Sequence, residues 1–146
     1  SADVATKMCE RYKKYKLKVI GDAGGMAGAV NMVGLMFQVN GPLSKSELRE
    51  IFIDSVNFFL NAINGDENIR PFLKNYPFTI EGIENAVFVV DKNGRDLFFP
   101  DIAVVSNIDH KIQYKTNDKD DEYKYKTREI ESYETALKIV QEGKVQ

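Results

Sequence analysis

Residues 42–65 read PLSKSELREIFIDSVNFFLNAING, and this stretch decides the fold. Ser44 and Glu47 have the spacing of a capping box: the Ser hydroxyl accepts from the backbone N–H of the Glu, and the Glu side chain reaches back. Leu48, Ile51 and Phe52, Ser55 and Val56, Phe59 and Leu60, and Ile63 recur every three to four residues, which lays one wide apolar stripe along a helix. Gly65 closes the run. The pattern predicts a helix over 45–63, long enough to lie across a sheet, with Glu47, Arg49, Glu50 and Asp54 largely off its apolar face.

Beyond this helix, Pro71 fits the first turn of a short second helix over 68–75, where its missing N–H costs little. Ile69, Phe72 and Leu73 would pack inward from it, and Pro77 would stop it. The period then changes. Residues 86–90, 101–106 and 111–116 read as strands, separated by turn signals at Asp91-Lys92-Asn93-Gly94 and Asn107-Ile108-Asp109-His110. After an acidic tip, Asn117–Glu122, the residues Tyr123, Tyr125, Thr127 and Glu129 alternate with Lys124, Lys126, Arg128 and Ile130, as in an antiparallel meander with one wet face. Ser132 caps a last helix that carries Tyr133, Ala136, Leu137 and Val140 on one side.

Towards the N-terminus, Val4, Met8 and Tyr12 stand four apart and fit a short amphipathic helix. Leu17, Val19 and the run Val30–Val39 have the content of strands. Gly21–Gly28 lies between them. Such a loop cradles phosphate when it leads from a strand into a helix N-terminus, but neither G-x-G-x-x-G nor G-K-[ST] is present. The better reading is two strands joined through a glycine-rich bend. Residues 23–39 are uncharged, and Gly21, Gly25 and Ala29 stand four apart like a membrane helix contact. The run is shorter than the roughly 20 residues a bilayer needs, and Asn31 and Gln38 interrupt it. The whole chain, 1–146, thus reads as one α+β domain: a single antiparallel sheet of about five or six strands on one long helix, with short flanking helices.

Composition narrows the function by exclusion. Twenty Lys and Arg against 22 Asp and Glu leave a net charge of -2, a poor balance for wholesale binding to nucleic acid. One Cys and one His rule out thiolate zinc sites and multi-His metal sites. The start Ser1-Ala2-Asp3 resembles the small, polar residue left by a cleaved secretory signal, which leans the reading towards export, while the lone Cys9 cuts slightly against it.

Ser106, Asp109 and His110 share one expected turn and so do not converge as a triad must. Nothing near Cys9 beyond Lys and Arg would activate a thiolate. The acids of Asp118–Glu122 and of Asp91–Asp96 lack calcium-loop order and read as hairpin tips. Neither a catalytic residue nor a metal or cofactor is therefore expected. The candidate ligand-binding residues are Tyr114, Tyr123, Tyr125 and Lys124. They fall on adjacent expected strands with Lys111, Lys115, Lys126 and Arg128, and would form an aromatic, basic sheet face.

The segment Asn68–Thr79, NIRPFLKNYPFT, resembles one in small uncharacterised bacterial proteins, with a long helix before it and a helix after the sheet in similar order. The resemblance implies a bacterial origin and attaches no activity. The leading expectation is a non-enzymatic module that binds a partner, most of all a protein, through an open sheet face or the glycine-rich loop. The rivals are a small hydrolase or ligand-binding enzyme whose carboxylates converge only in three dimensions, and a structural homo-oligomer joined by edge strands.

Overall fold

The computed structural model describes residues 2–26, 30–73 and 75–145. The decisive helix forms as α2, Lys45–Asn64, behind a complete capping box: Glu47 N–H donates to Ser44 Oγ at 3.1 Å, and Ser44 N–H to Glu47 Oε1 at 2.9 Å. Its stripe of Leu48, Ile51, Phe52, Val56, Phe59 and Ile63 is buried. Each such side chain removed from water stabilises the fold by about 1.5–3 kcal/mol.

Under that stripe, the described strands make one six-stranded sheet in sequence order. The strands are β1 (Lys18–Met26), β2 (Val30–Asn40), β3 (Ala86–Val90), β4 (Ile102–Ile108), β5 (Lys111–Asp118) and β6 (Asp121–Ser132). All neighbours are antiparallel except β2 and β3, so the sheet is mixed rather than purely antiparallel. The reason is the crossover. The chain leaves β2, returns along α2 and re-enters the sheet in the direction it left, as any βαβ unit must. The glycine-rich stretch is itself strand as far as Met26, and the bend after it lies outside the described residues.

Two further helices share the α2 side of the sheet. Helix α1, Ala2–Arg11, buries Val4 and Met8, with Tyr12 just beyond it. Helix α3, Tyr133–Val145, is capped by Ser132 Oγ, which accepts from Thr135 N–H at 3.1 Å, and buries Tyr133, Ala136 and Val140. Both pack against α2. The outer side of α2 is therefore covered, and Asp54, expected off the apolar face, is only 2% exposed. No described helix is long and apolar enough to cross a membrane.

The expected helix over 68–75 does not form. Only a 3-10 turn, Arg70–Phe72, is present, and Leu73 is already extended with ψ 132°. Pro71 removes a donor where a continuing helix would need one. Phe72 is not inward but 58% exposed.

Candidate functional site

The tyrosine face anticipated from the sequence is split by a β-bulge. Thr127 lies opposite Thr116 but Tyr125 opposite Asn117, which leaves Lys126 as the extra residue. Tyr125, just on the tip side of it, therefore changes face. Tyr114 points to the helices and is 2% exposed. Tyr125 points the other way, with Lys115 Nζ over its ring at 4.6 Å. Tyr125 and Lys124 share a shallow hollow of about 470 Å³ with Phe88, Phe98, Val104 and Asp118. Tyr123, at 90% exposure, stands free at the sheet edge.

Tyr114 instead belongs to a partly buried ionic cluster. Arg49 Nε and Nη2 donate to Glu131 at 2.8 and 3.0 Å, and the Tyr114 hydroxyl donates to the same carboxylate. Burial, and then the bond to Glu131, push the Tyr114 pKa upward. Burial alone would raise the Glu131 pKa as well, but the bonds from Arg49 and Tyr114 outweigh it and hold it below the usual range. A second carboxylate, the buried Asp54, receives Lys144 Nζ at 3.0 Å, Arg11 Nη1 at 3.3 Å and the Tyr12 hydroxyl. These groups are committed to one another: the first cluster ties α2 to β5 and β6, and the second ties α1, α2 and α3 together.

The remaining sequence candidates are dispersed. Cys9 packs half-buried against the core from α1, while His110, in the β4–β5 turn, meets Glu81. The acidic tips serve their own backbone. Asp91 accepts from the N–H groups of Asn93 and Arg95, Asp118 from that of Asp120, and Asp121 from that of Tyr123. Among the described residues, no three His, Cys, Asp or Glu side chains gather as a metal site would require.

A larger concavity lies elsewhere. A cleft of about 1030 Å³ opens between α1, the β1–β2 hairpin, the C-terminal end of α2 and the 3-10 turn that follows. Its apolar lining includes Val19, Val33, Leu35, Phe59 and Ile63. Ala5, Ala62 and Gly34 keep it open, because small residues there leave volume unfilled. Ile20 and Phe72 form exposed lips. Asp3, Asp22 and Asp66 are its charged members.

Local structure explains each wall. Ile20 is an extra residue in β1, because Val19 pairs with Phe37 and Gly21 with Met36. This bulge brings Asp22, rather than Gly21, opposite Leu35 and so into the cleft. The β2 floor is held by buried Asn85, whose Oδ1 accepts from Leu35 N–H at 3.0 Å while its Nδ2 donates to Ser55 Oγ at 2.9 Å. Gly34 permits this, since a Cβ there would fall on the Glu84 carbonyl oxygen. Asp66 Oδ1 accepts from Asn68 N–H at 2.9 Å and turns the chain after α2, which sets Ile69 and Phe72 at the mouth.

Sequence reading missed this cleft. Its apolar residues are indistinguishable from core in the sequence, and they come from parts of the chain as distant as Ala2 and Phe72. No pattern in the sequence marks it: Phe72, read as packing inward, is instead exposed at its mouth. Comparison with known protein families, characterised proteins and solved structures finds nothing that matches this chain.

Proposed function

We propose that the chain is a non-enzymatic binding module that seats an apolar helical segment of a protein partner in this cleft. The observation that carries the reading is an open apolar trough with exposed lips at Ile20 and Phe72. A soluble chain rarely leaves contiguous apolar surface uncovered without a use for it, and a groove of this kind suits the apolar face of an amphipathic helix. The small floor residues Ala5, Ala62 and Gly34 let a partner backbone come close.

Two observations favour binding over hydrolysis. The described lining contains no Ser, Thr, Cys, His, Tyr or Lys to act as nucleophile or base partner. The carboxylates with lowered pKa values, Glu47, Asp91 and Glu131, owe them to structural hydrogen bonds and lie outside the cleft. The homo-oligomer reading is weakened by β6, an edge strand whose Lys124, Lys126 and Arg128 resist pairing with a second edge. The segment Asn68–Thr79 contributes Ile69 and Phe72 to the mouth, so we assign it to partner contact.

The test uses isotope-labelled protein and a model helix of about five turns with a Leu/Ala apolar face and a Gln polar face. The expected result is perturbation of the amide resonances of Val19, Val33, Leu35 and Ile69, abolished in Ala62→Phe, whose ring fills the floor while thermal stability is kept. Perturbation centred on the Tyr125 hollow, or binding untouched by Ala62→Phe, overturns the reading.

A further inference from the structure

The cleft has a charge character that its apolar lining hides. Its ionisable lining residues, Asp3, Asp22 and Asp66, are all acids, and neither Lys nor Arg lines it among the described residues. The C-terminal end of α2 also opens onto the mouth. A helix of 20 residues concentrates partial negative charge on its last carbonyls, and α2 has no basic residue in its last turn to offset it. Among the described residues, two cations near it are engaged. Lys7 pairs with Asp3 at 3.3 Å along α1, and Arg70 donates to Asn64 O at 3.2 Å with its guanidinium over the Tyr76 ring. Asp22 and Asp66 therefore set the potential at opposite sides of the trough. An anionic or purely apolar occupant would leave those carboxylates facing its flanks without benefit.

We infer that the segment accepted by the cleft is basic: an amphipathic helix whose apolar face enters the trough while Lys or Arg residues on its flanks meet Asp22 and Asp66. This rests on the binding reading above. Charge complementarity at a rim of this kind sets partner choice and the rate of encounter more than total affinity. It also rejects acidic helices of the same apolar pattern, because like charges would face each other across the lips.

The experiment is a fluorescence-anisotropy titration of the intact protein with three model helices that share one Leu/Ala apolar face and differ in a Lys, Gln or Glu polar face. The expected order of affinity is Lys, then Gln, then Glu, with the first two about tenfold apart, the size of a few exposed ion pairs. About 0.5 M salt should shrink that gap, since the pairs are solvent-screened. The double variant Asp22→Asn with Asp66→Asn should close it, so that this variant binds the Lys and Gln helices equally. Asn at position 66 still offers an oxygen to Asn68 N–H, so this variant keeps its turn. Equal affinity for the Lys and Gln helices overturns the charge inference and leaves the binding reading standing. A Lys helix that binds Ala62→Phe as well as it binds the unaltered protein also overturns the inference, because the attraction is then not to this cleft. Failure of all three helices to bind overturns both.

Discussion

Glu131 shows how one partly buried carboxylate makes the fold sensitive to acid. It is the acceptor for Arg49 and Tyr114 together, and the cluster joins α2 to β5 and β6. Its folded pKa lies below the ordinary 4.5. A group whose pKa is depressed by folding binds fewer protons in the native state than in the unfolded one. Its stabilising effect is complete above the ordinary value and is lost as pH falls from there through the folded pKa. Urea midpoints should therefore decline on acidification below about pH 4.5, the usual carboxyl range, and Glu131→Gln should decline less steeply over the same window. At neutral pH the variant should be less stable than the unaltered protein, because a neutral amide leaves the Arg49 charge half-buried without its partner. Parallel pH slopes for the two proteins would show that the carboxylate does not titrate as the geometry requires.

At the level of elements, the crossover from β2 to β3 depends on one residue without a side chain. Gly34 lets the Glu84 carbonyl lie against β2, where Glu84 N–H donates to Val33 O at 2.8 Å and Val33 bridges Ile83. Gly34→Ala should force β2 and the segment before β3 apart, and should cost about 2 kcal/mol or more in urea unfolding, well above the usual effect of a surface substitution. Gly94→Ala is the contrasting case. Its cost comes from a φ of 79° in open space, and should be about 1 kcal/mol. The elements themselves were largely legible. The capping box and apolar stripe define α2 almost to the residue, and Ala86–Val90 is a strand as read. The helix at 68–75 was misread because periodicity cannot register what lies beneath it, and beneath Phe72 lies the cleft rather than core. The faces of β1 and β6 were illegible for a different reason. Each carries a bulge, at Ile20 and at Lys126, and a bulge is a property of a strand pair rather than of a strand. One bulge turns Asp22 into the cleft, and the other separates Tyr125 from Tyr114. The candidate site thus depended on two single-residue slips that alternation in the sequence does not reveal.

Across the whole molecule, Asp54 links both ends of the chain to the site. It sits in the middle of α2, where Arg11 and Tyr12 reach it from the N-terminal side and Lys144 from the last turns of α3. A lone carboxylate at 2% exposure would be strongly disfavoured; here two cations and a hydroxyl offset that cost. The consequence reaches the cleft, because α1 supplies one of its walls through Ala2, Asp3 and Ala5 while its opposite side is held to α2 by this clamp. Asp54→Ala should cost about 2–4 kcal/mol, less than for a fully buried pair because the two cations can turn to water. Its more specific signature lies in hydrogen exchange. Amides of α1 and of the end of α3 should lose protection together, while those of β3 to β5 change only with global stability. Affinity for the model helices should fall in the same variant, although Asp54 touches no part of the cleft, because a loosened α1 must be reordered before the trough exists. Were α1 to keep its protection, the packing of Val4, Met8 and Tyr12 alone would be holding that wall, and the affinity should then stay unchanged as well. The two measurements are bound to move together, since both report whether the N-terminal helix is in place.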